Sequence, residues 1–284
     1  MTRRESLLGM VGLASGLSSC SLVRRAETAE GTVVPPQPQP TPPPAAGGGT
    51  NTPPSVSGQI AGGTRTTYTS CKVPGPWIAL TFDDGPHAQH TPRLLSILRE
   101  RNVKATFFLI GRNVSAFPGV VQRTAEEGHE IANHTQTHAK LSSLSDAGVA
   151  REIGGCDAAI SKALGGFQPP VFRPPYGAIT ARQKEWVHRE FGYPTIMWSC
   201  DPLDWKYRNT SRVASEMIRG ASRGGILLAH DIHATTVAAM PQVVDSLLAK
   251  GYQFVTMSQL INLERGLGTP APQPMVLRLS AGSL

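Results

Sequence analysis

The sequence predicts an α/β fold in which about seven short parallel strands form a distorted (β/α) barrel. Between residues 71 and 265, short apolar runs alternate with longer segments whose apolar residues recur at helical spacing. The runs are apolar throughout, as in strands that are covered on both faces. Polar side chains suited to catalysis follow several of these runs. Alternating strands and helices predict a parallel sheet, and the polar residues decide whether it is open or closed.

Seven apolar runs are predicted to be strands. In chain order they are residues 77–82, 105–110, 130–133, 171–173, 195–199, 225–229 and 253–257. Leucines and an isoleucine recur at helical spacing over residues 91–101, which predicts a helix after the first strand. Further helices are predicted near residues 117–128, 144–164, 179–191, 211–221 and 237–250.

Polar residues at the predicted strand ends favour a barrel over an open sheet. The carboxyl ends of barrel strands gather on one rim, where barrel active sites lie, whereas an open sheet would spread the same residues along an edge. We therefore expect a barrel, and seven strands make it a distorted one. The residues are Asp83 and Asp84 after the first strand, His134 after the third, Arg173 in the fourth, Asp201 after the fifth and His230 after the sixth.

The first 20 residues are predicted to be an export signal. Arg3 and Arg4 precede an apolar stretch over residues 7–17 that is too short to cross a bilayer. The segment LSSC ending at Cys20 resembles a bacterial lipobox, so we expect lipidation of Cys20 and attachment to the outer face of the cytoplasmic membrane. Without lipidation the protein would be secreted. The arginine pair leaves the twin-arginine and general export routes both open.

Residues 21–70 are predicted to be a disordered tether, because they are rich in proline and glycine and offer few large apolar side chains to bury. Residues 266–284 are predicted to be a flexible tail. The folded domain is therefore expected to span residues 71–265, which is the size of one domain.

Charge and composition exclude several classes of protein. Charged residues make up 17% of the chain and hydrophobic ones 40%, which excludes a wholly disordered chain, a coiled coil and a multi-span membrane protein. The net charge of +7 is divided between the leader and the rest of the chain, and the predicted domain has no run of basic residues. We therefore expect no nucleic-acid partner. Separately, we expect a monomer.

The number of cysteines matters because export would place the protein in an oxidising compartment. If Cys20 is lipidated, an odd number remains, namely Cys71, Cys156 and Cys200. In an oxidising compartment this predicts one disulfide and one buried thiol, with the pairing left open. The sequence contains no CxxC motif, so a cysteine metal site is not expected.

Two clusters suggest a metal site. Asp83 and Asp84 are adjacent carboxylates, which repel each other unless a cation lies nearby. His134 and His138 are four residues apart, a spacing that in a helix places them one turn from each other, so that they can bind one cation. With Asp84 they form a three-ligand set that leaves positions open for water and substrate. Zinc and non-haem iron both accept such a set.

Three further segments carry polar residues at strand ends. Arg173, in FRPPYG, needs a carboxylate partner if it is buried, and Asp83 and Asp201 are both available. Asp201 begins DPLDW, and His230 ends LLAH. Five such clusters at successive strand ends, in this order, indicate a catalytic site.

The segments TFDDGP, HTQTH, FRPPYG, DPLDW and LLAH resemble the five motifs of the NodB-type polysaccharide deacetylases, carbohydrate esterase family 4, which include peptidoglycan and chitin deacetylases. The resemblance covers roughly residues 73–262. It implies a distorted (β/α) barrel and a metal-dependent deacetylase that usually holds Zn²⁺ and sometimes Co²⁺ or another divalent ion.

The resemblance also implies a role for each motif residue. Asp84, His134 and His138 are expected to bind the metal, Asp83 to be the general base, and His230 to be the general acid that protonates the departing amine. Arg173 is expected to orient Asp83, and Asp201 to pair with His230. The backbone N–H of Tyr176 is expected to bind the oxyanion, and Trp205 and Leu228 to line the acetate pocket.

The predicted reaction is removal of acetyl groups from N-acetylglucosamine residues of a β-1,4 glycan. A lipid anchor and a flexible tether would hold the enzyme near the cell wall, which favours peptidoglycan. Chitin or its oligosaccharides, and acetylxylan, remain alternatives within the same resemblance. From a different class, the protein could be a catalytically silent envelope lipoprotein that binds glycan. An iron oxygenase would leave the five motifs unexplained.

Overall fold

A computed structural model of the chain describes residues 65–268, so the predicted export signal, Cys20, most of the tether and most of the tail lie outside the described residues. The seven strands of the described part are β1 (Thr67–Tyr68), β2 (Trp77–Asp83), β3 (Thr106–Leu109), β4 (Glu130–Asn133), β5 (Thr195–Ile196), β6 (Ile226–His230) and β7 (Gln253–Val255). Its α-helices are α1 (His90–Glu100), α2 (Gly111–Ala116), α3 (Pro118–Glu126), α4 (Asp146–Ala163), α5 (Ala181–Phe191), α6 (Asp204–Tyr207), α7 (Thr210–Gly220), α8 (Ala234–Ala249) and α9 (Met257–Glu264).

Strand β2 is the centre of a parallel sheet with the order β4-β3-β2-β6. The amino-terminal part of β2 also pairs with β7, and β1 pairs separately with β5, again in parallel. Six of the seven residues of β2 are buried, which explains why its sequence is apolar throughout. The predicted α/β class with parallel strands is confirmed.

The barrel is distorted because its ladders do not run around a full ring. Single bridges continue the sheet instead: Phe172 pairs with Asn133 on one side and Thr195 on the other, and Cys200 pairs with Leu227. The predicted strand over residues 171–173 is therefore reduced to one bridging residue. Prolines at 169, 170, 174 and 175 flank this segment, and proline cannot donate to a ladder.

Alternate residues of β2 face two different environments. Ile78, Leu80 and Phe82 belong to the large apolar cluster that also includes residues of α1 and α8. Ala79 belongs to a second cluster, which includes residues of β3, β4 and β6. Because side chains alternate along a strand, Asp83 lies on the same face as Ala79, toward the barrel interior. The strand thus delivers a carboxylate to the inner rim.

The amino-terminal boundary of the domain was predicted too late in the chain. Strand β1 lies inside the predicted tether of residues 21–70, and Tyr68 is only 1% exposed. Arg65 forms an ion pair with Glu264 in α9, with Nη1 2.8 Å from Oε1. The folded domain therefore includes residue 65. The β-branched and aromatic residues of TTYT were the available signal.

The strand predicted over residues 253–257 ends two residues early. Thr256 is the N-cap of α9: its hydroxyl accepts a hydrogen bond from Gln259 N, and the Gln259 side chain accepts one from Thr256 N. This capping box starts the helix at Met257. No helix within residues 65–268 is both long enough and apolar enough to cross a membrane.

The predicted disulfide is wrong, because Cys71, Cys156 and Cys200 are all free, buried thiols. The Sγ atom of Cys156 contacts the carbonyl of Leu109 at 3.2 Å, and that of Cys200 contacts the carbonyl of Glu216 at 3.8 Å. Burial raises the pKa of Cys71 to about 12 and that of Cys200 to about 11, so these thiols stay protonated at neutral pH.

Both the backbone conformation and the close packing at position 224 require glycine. Gly224→Ala is therefore expected to destabilise the domain by about 3 kcal/mol. The residue has a φ of +71°, and a Cβ atom there would lie 1.7 Å from the carbonyl oxygen of Cys71. Urea unfolding measures the effect. Gly251→Ala is the control, since its φ is +83° but no atom lies within 4 Å of the added methyl group. Equal losses in the two variants would contradict the steric argument.

Candidate active site

One cavity lies at the carboxyl ends of β2, β4 and β6, and it brings together most of the predicted site residues. Its volume is about 150 Å³. Asp83 and Asp84 come from the end of β2, His134 follows β4, and His230 ends β6. The full lining is Asp83, Asp84, His134, His138, Tyr176, Trp198, Trp205, Leu228 and His230.

Asp84, His134 and His138 form a cluster in which one ligand atom from each lies within 4.8 Å of the others. Asp84 Oδ1 is 3.1 Å from Nε2 of His138 and 3.5 Å from Nε2 of His134. The two histidines are not on a helix, although their spacing would suit one. They lie on a loop in which Thr135 and His138 have φ values of 70° and 66°. This left-handed backbone turns both rings toward Asp84.

The contacts of the histidines orient them for metal binding. Nδ1 of His134 is 2.8 Å from the carbonyl oxygen of Arg173. A carbonyl only accepts, so Nδ1 carries a proton, and Nε2 is the nitrogen that faces Asp84 and is placed to bind a metal. Nδ1 of His138 is 3.1 Å from the hydroxyl of Tyr176. Such outer contacts hold a ligating imidazole in one orientation.

The residues present fit a divalent cation. Asp84 Oδ1 is buried and accepts no hydrogen bond within the described part of the chain. Burial raises the pKa of Asp84, but the two facing imidazoles outweigh it and hold the pKa well below its ordinary value. Asp84 is therefore a carboxylate that faces two imidazole nitrogens. Two nitrogens and one oxygen are a ligand set that Zn²⁺ and related divalent metals accept.

Asp83 is paired with Arg173, the first of the two partners that the sequence allowed. Arg173 Nη1 donates to Asp83 Oδ1 at 2.6 Å and to Thr81 Oγ1 at 2.9 Å. The guanidinium also donates to the carbonyls of Ile196 and Met197, and it is fully buried. Arg173 therefore holds Asp83 in one position and balances its charge. The second carboxylate oxygen lies 3.7 Å from Nε2 of His134, beside the cluster.

The partner of His230 is Asp204, so the prediction that Asp201 pairs with His230 is wrong. Nδ1 of His230 lies 2.7 Å from Asp204 Oδ1, and His230 N donates to Asp204 Oδ2 at 2.8 Å. The hydroxyl of Thr236 in α8 also donates to Asp204 Oδ2. Asp204 is fully buried, as expected of a carboxylate with this many donors.

Asp201 lies three residues before Asp204, and its side chain is part of a local turn instead of contacting His230. Its Oδ1 accepts a hydrogen bond from Leu203 N at 2.8 Å, which closes a local turn. Leu203 has a φ of 54°, and this left-handed residue reverses the chain so that Asp204 faces β6. Both acids lie in DPLDW, and only this reversal distinguishes them.

The charges around His230 favour its protonated form. Burial lowers the pKa of His230, but the hydrogen bond and charge of Asp204, with the charges of Asp83 and Asp84, raise the pKa to about 9. At neutral pH the imidazole therefore carries a proton that it can donate.

The remaining predicted residues line the cavity. Leu228 is buried on β6, while Tyr176 and Trp205 are 69% and 51% exposed at the rim. Large exposed aromatic rings are typical of a surface that binds a ligand. Trp198 also lines the cavity and was not singled out from the sequence, although it lies in a predicted strand.

The turn that carries Asp84 packs against a buried carboxyl that the sequence analysis did not single out. A Cβ atom at Gly85 would lie 2.6 Å from Oδ1 of Asp231, so only glycine fits there. Asp231 accepts a hydrogen bond from the hydroxyl of Thr91, which itself accepts from His87 N. This contact links the loop after β2 to the end of β6.

Comparisons with known proteins identify the class. Residues 71–196 match the family model described as polysaccharide deacetylase. A peptidoglycan-N-acetylglucosamine deacetylase of Bacillus cereus is 37% identical over 203 residues, which cover 69% of this chain and 94% of that protein. The chain therefore belongs to the NodB-type polysaccharide deacetylase family, carbohydrate esterase family 4, as its five motifs suggested.

Two further comparisons refine the placement. Peptidoglycan-N-acetylglucosamine deacetylase PgdA of Listeria monocytogenes is 42% identical over 191 residues; the match covers 67% of this chain but only 40% of that protein. The crystal structure of the Bc1960 peptidoglycan N-acetylglucosamine deacetylase aligns with a TM-score of 0.66 and 32% identity, covering 69% of this chain and 92% of that one.

Proposed function

We propose that this protein is a metal-dependent deacetylase that removes acetyl groups from N-acetylglucosamine residues of peptidoglycan. The observation that carries the proposal is the arrangement within one cavity. The cluster of Asp84, His134 and His138 lies there with the arginine-bound Asp83 and the protonated His230. Metal-assisted amide hydrolysis uses these elements: a cation, a base for water and an acid for the amine.

The cluster would hold the cation, with Zn²⁺ as the proposed metal and Co²⁺ or another divalent ion as alternatives. Bound there, the ion would polarise the acetyl carbonyl and lower the pKa of water. The contribution of the protein is to hold the ligating side chains in place. The carbonyl of Arg173 orients the ring of His134, and the hydroxyl of Tyr176 orients that of His138.

Asp83 is the proposed general base. Its Oδ1 is engaged by Arg173 at 2.6 Å, so Oδ2, beside the cluster, is the oxygen that can accept a proton from the attacking water. The positive charge of the buried guanidinium offsets the repulsion between the carboxylates of Asp83 and Asp84. Arg173 is a positioning residue, because it acts through Asp83.

His230 is the proposed general acid. Loss of an amine from the tetrahedral intermediate requires a proton on nitrogen, and the imidazolium can supply it from Nε2. Asp204 holds Nδ1, so the proton that leaves is the one facing the cavity. Asp204 thus has the role that the sequence analysis gave to Asp201.

The acetyl group and the oxyanion have proposed partners at the cavity wall. Leu228 and Trp205 provide apolar surface for a methyl group. Tyr176 has a φ of 60° in a tight turn, and its backbone N–H is the proposed donor to the oxyanion.

The choice of peptidoglycan rests on the relatives. The deacetylases of Bacillus cereus and Listeria monocytogenes described above are named for that polymer. The proposed anchor at Cys20 and the tether, both outside the described residues, would place the domain on the outer face of the cytoplasmic membrane. Chitin, its oligosaccharides and acetylxylan are the alternative substrates, and a silent glycan-binding lipoprotein is the alternative class.

Acetate release tests the proposal. The chain from residue 60 onward, incubated with peptidoglycan, chitin oligomers and acetylxylan, is expected to release acetate fastest from peptidoglycan. A chelator is expected to abolish release, and added Zn²⁺ or Co²⁺ to restore it, because the cluster supplies the cation. Absence of acetate from every glycan, with metal present, would favour the silent binding protein. Release that survives the chelator would overturn the proposed metal dependence.

A further inference from the structure

A second concave surface lies on the segment of chain that follows Trp205. It is a wide depression of about 680 Å³ between the end of α6 and the first turns of α7. Its lining is Tyr207, Asn209, Ser211, Arg212, Ser215 and Glu216. Tyr207 is 39% exposed, so its ring contributes an aromatic surface to the depression.

Arg212 lines this depression, and Lys206 and Arg208 flank Tyr207 in the chain; we call these three cations the basic rim. All three are exposed, and none forms an ion pair with a carboxylate in residues 65–268. The guanidinium of Arg212 stacks on the Tyr207 ring at 3.6 Å, and the ammonium of Lys206 lies 5.3 Å from the centre of the same ring. Glu216, the acid that lines the depression, is paired with Arg219 instead.

Arg208 is held in place without being neutralised. Its Nε donates to the carbonyl of Trp205 at 2.8 Å, and its Nη1 donates to Nδ1 of His233 at 2.8 Å. Burial and the charge of Arg208 lower the pKa of His233, so that its partner is a neutral ring. The ring of His233 lies 5.9 Å from that of His230. A fixed positive charge therefore lies next to the proposed acid and the pocket tryptophan.

This arrangement distinguishes the candidate substrates by charge. The hydroxyl and acetyl groups of chitin and acetylxylan are neutral and offer no negative charge to pair with these cations. Peptidoglycan carries carboxylates, on the lactyl group of muramic acid or on its stem peptides. A guanidinium binds a carboxylate through two parallel hydrogen bonds, and the Tyr207 ring under Arg212 supports that guanidinium in place.

We propose that the basic rim is an anion subsite that binds a carboxylate of the glycan substrate next to the sugar being deacetylated. The inference rests on the proposed deacetylase function and deepens it: the enzyme would select acidic glycans over neutral ones through binding outside the acetyl pocket. Electrostatic attraction of this kind weakens as salt is added.

Matched substrates test the subsite. One fragment carries a free lactyl carboxylate and another carries a short stem peptide, and each is compared with its counterpart in which the carboxylates are amidated. The quantity measured is the ratio of kcat/KM for the acid to that for the amide. Wild-type protein is expected to give a ratio well above one that falls with salt. The fragment with the larger ratio identifies the source of the carboxylate.

The test variants are Arg212→Gln and Arg208→Gln, with Arg223→Gln as the control. Arg223 is also exposed but lies before β6, at the opposite end of the strand from His230. Each rim variant is expected to lower the ratio about fivefold, the effect of one partly exposed ion pair, and the control to leave it unchanged. Arg212→Gln is expected to fold, because within residues 65–268 that guanidinium stacks on Tyr207 and makes no hydrogen bond or ion pair.

The outcomes separate the subsite from the function. Acetate release by wild-type protein with ratios that stay constant in both rim variants would overturn the subsite and leave the deacetylase proposal standing. An equal loss on acid and amide substrates would mean that Arg208 only positions Trp205, and it would also overturn the subsite. No acetate from any substrate would contradict the proposed function itself.

Discussion

Asp83→Asn is expected to lower kcat about a thousandfold while the protein keeps its metal. Asparagine has the size of aspartate but cannot accept the proton of the attacking water. Arg173 retains acceptors at Thr81 and at two backbone carbonyls, so the guanidinium stays hydrogen-bonded in the variant. The loss corresponds to about 4 kcal/mol of transition-state stabilisation. Steady-state acetate release measures it.

Metal content is the second measurement, and Asp84→Asn is the matched variant. The two residues are adjacent, but only Asp84 belongs to the histidine cluster. Asp83→Asn is expected to bind one equivalent of Zn²⁺ by metal analysis after dialysis, whereas Asp84→Asn loses most of it. If Asp83→Asn lost metal along with activity, the two carboxylates would share one role, and the assignment of Asp83 as a separate base would fail.

The strands could be predicted where burial on both faces makes the sequence apolar. The prediction for residues 130–133 matches β4 at both ends, and that for residues 77–82 differs from β2 by one residue. The strand prediction failed where flanking residues or a pairing strand determine the conformation. Residues 171–173 are apolar enough for a strand, but the flanking prolines leave them a single bridge. Thr67 and Tyr68 were assigned to a tether because pairing with β5 is not visible in so short a segment.

The residues of the site likewise divide into those that could be placed from the sequence and those that could not. Asp83, Asp84, His134 and His230 could be placed together because each lies directly at a strand end, and parallel strands end on one rim. The partner of His230 could not be predicted in this way. Asp201 and Asp204 both follow β5, and the choice between them depends on the left-handed turn at Leu203 and on Thr236 from a distant helix. Local chain reversals of this kind leave little trace in residue spacing.

Asp204→Asn is expected to lower kcat/KM about a hundredfold at neutral pH. It is also expected to shift the alkaline limb of the pH–rate profile to lower pH. The proton donor is the charged form of His230, so activity is present below its pKa and is lost as pH rises through it. The pKa is about 9 with Asp204 in place and falls toward the ordinary value of 6.5 when that hydrogen bond and charge are removed. A cation held by Asp84 would offset the contributions of Asp83 and Asp84, but not that of Asp204.

Asp201→Asn is the control that decides between the two carboxylates. Within residues 65–268, Asp201 accepts a hydrogen bond from Leu203 N and none from His230, which it influences through its charge alone. Its variant is therefore expected to keep most activity and to move the alkaline limb much less than Asp204→Asn does. A stability measurement accompanies both, because Asp204 also binds Thr236 and the backbone of Trp205, and its loss could loosen α6. Loosening lowers the rate at every pH alike, whereas loss of the proton donor moves the limb. A limb that moves in Asp201→Asn but not in Asp204→Asn would restore the pairing expected from the motif and refute the one in the structure.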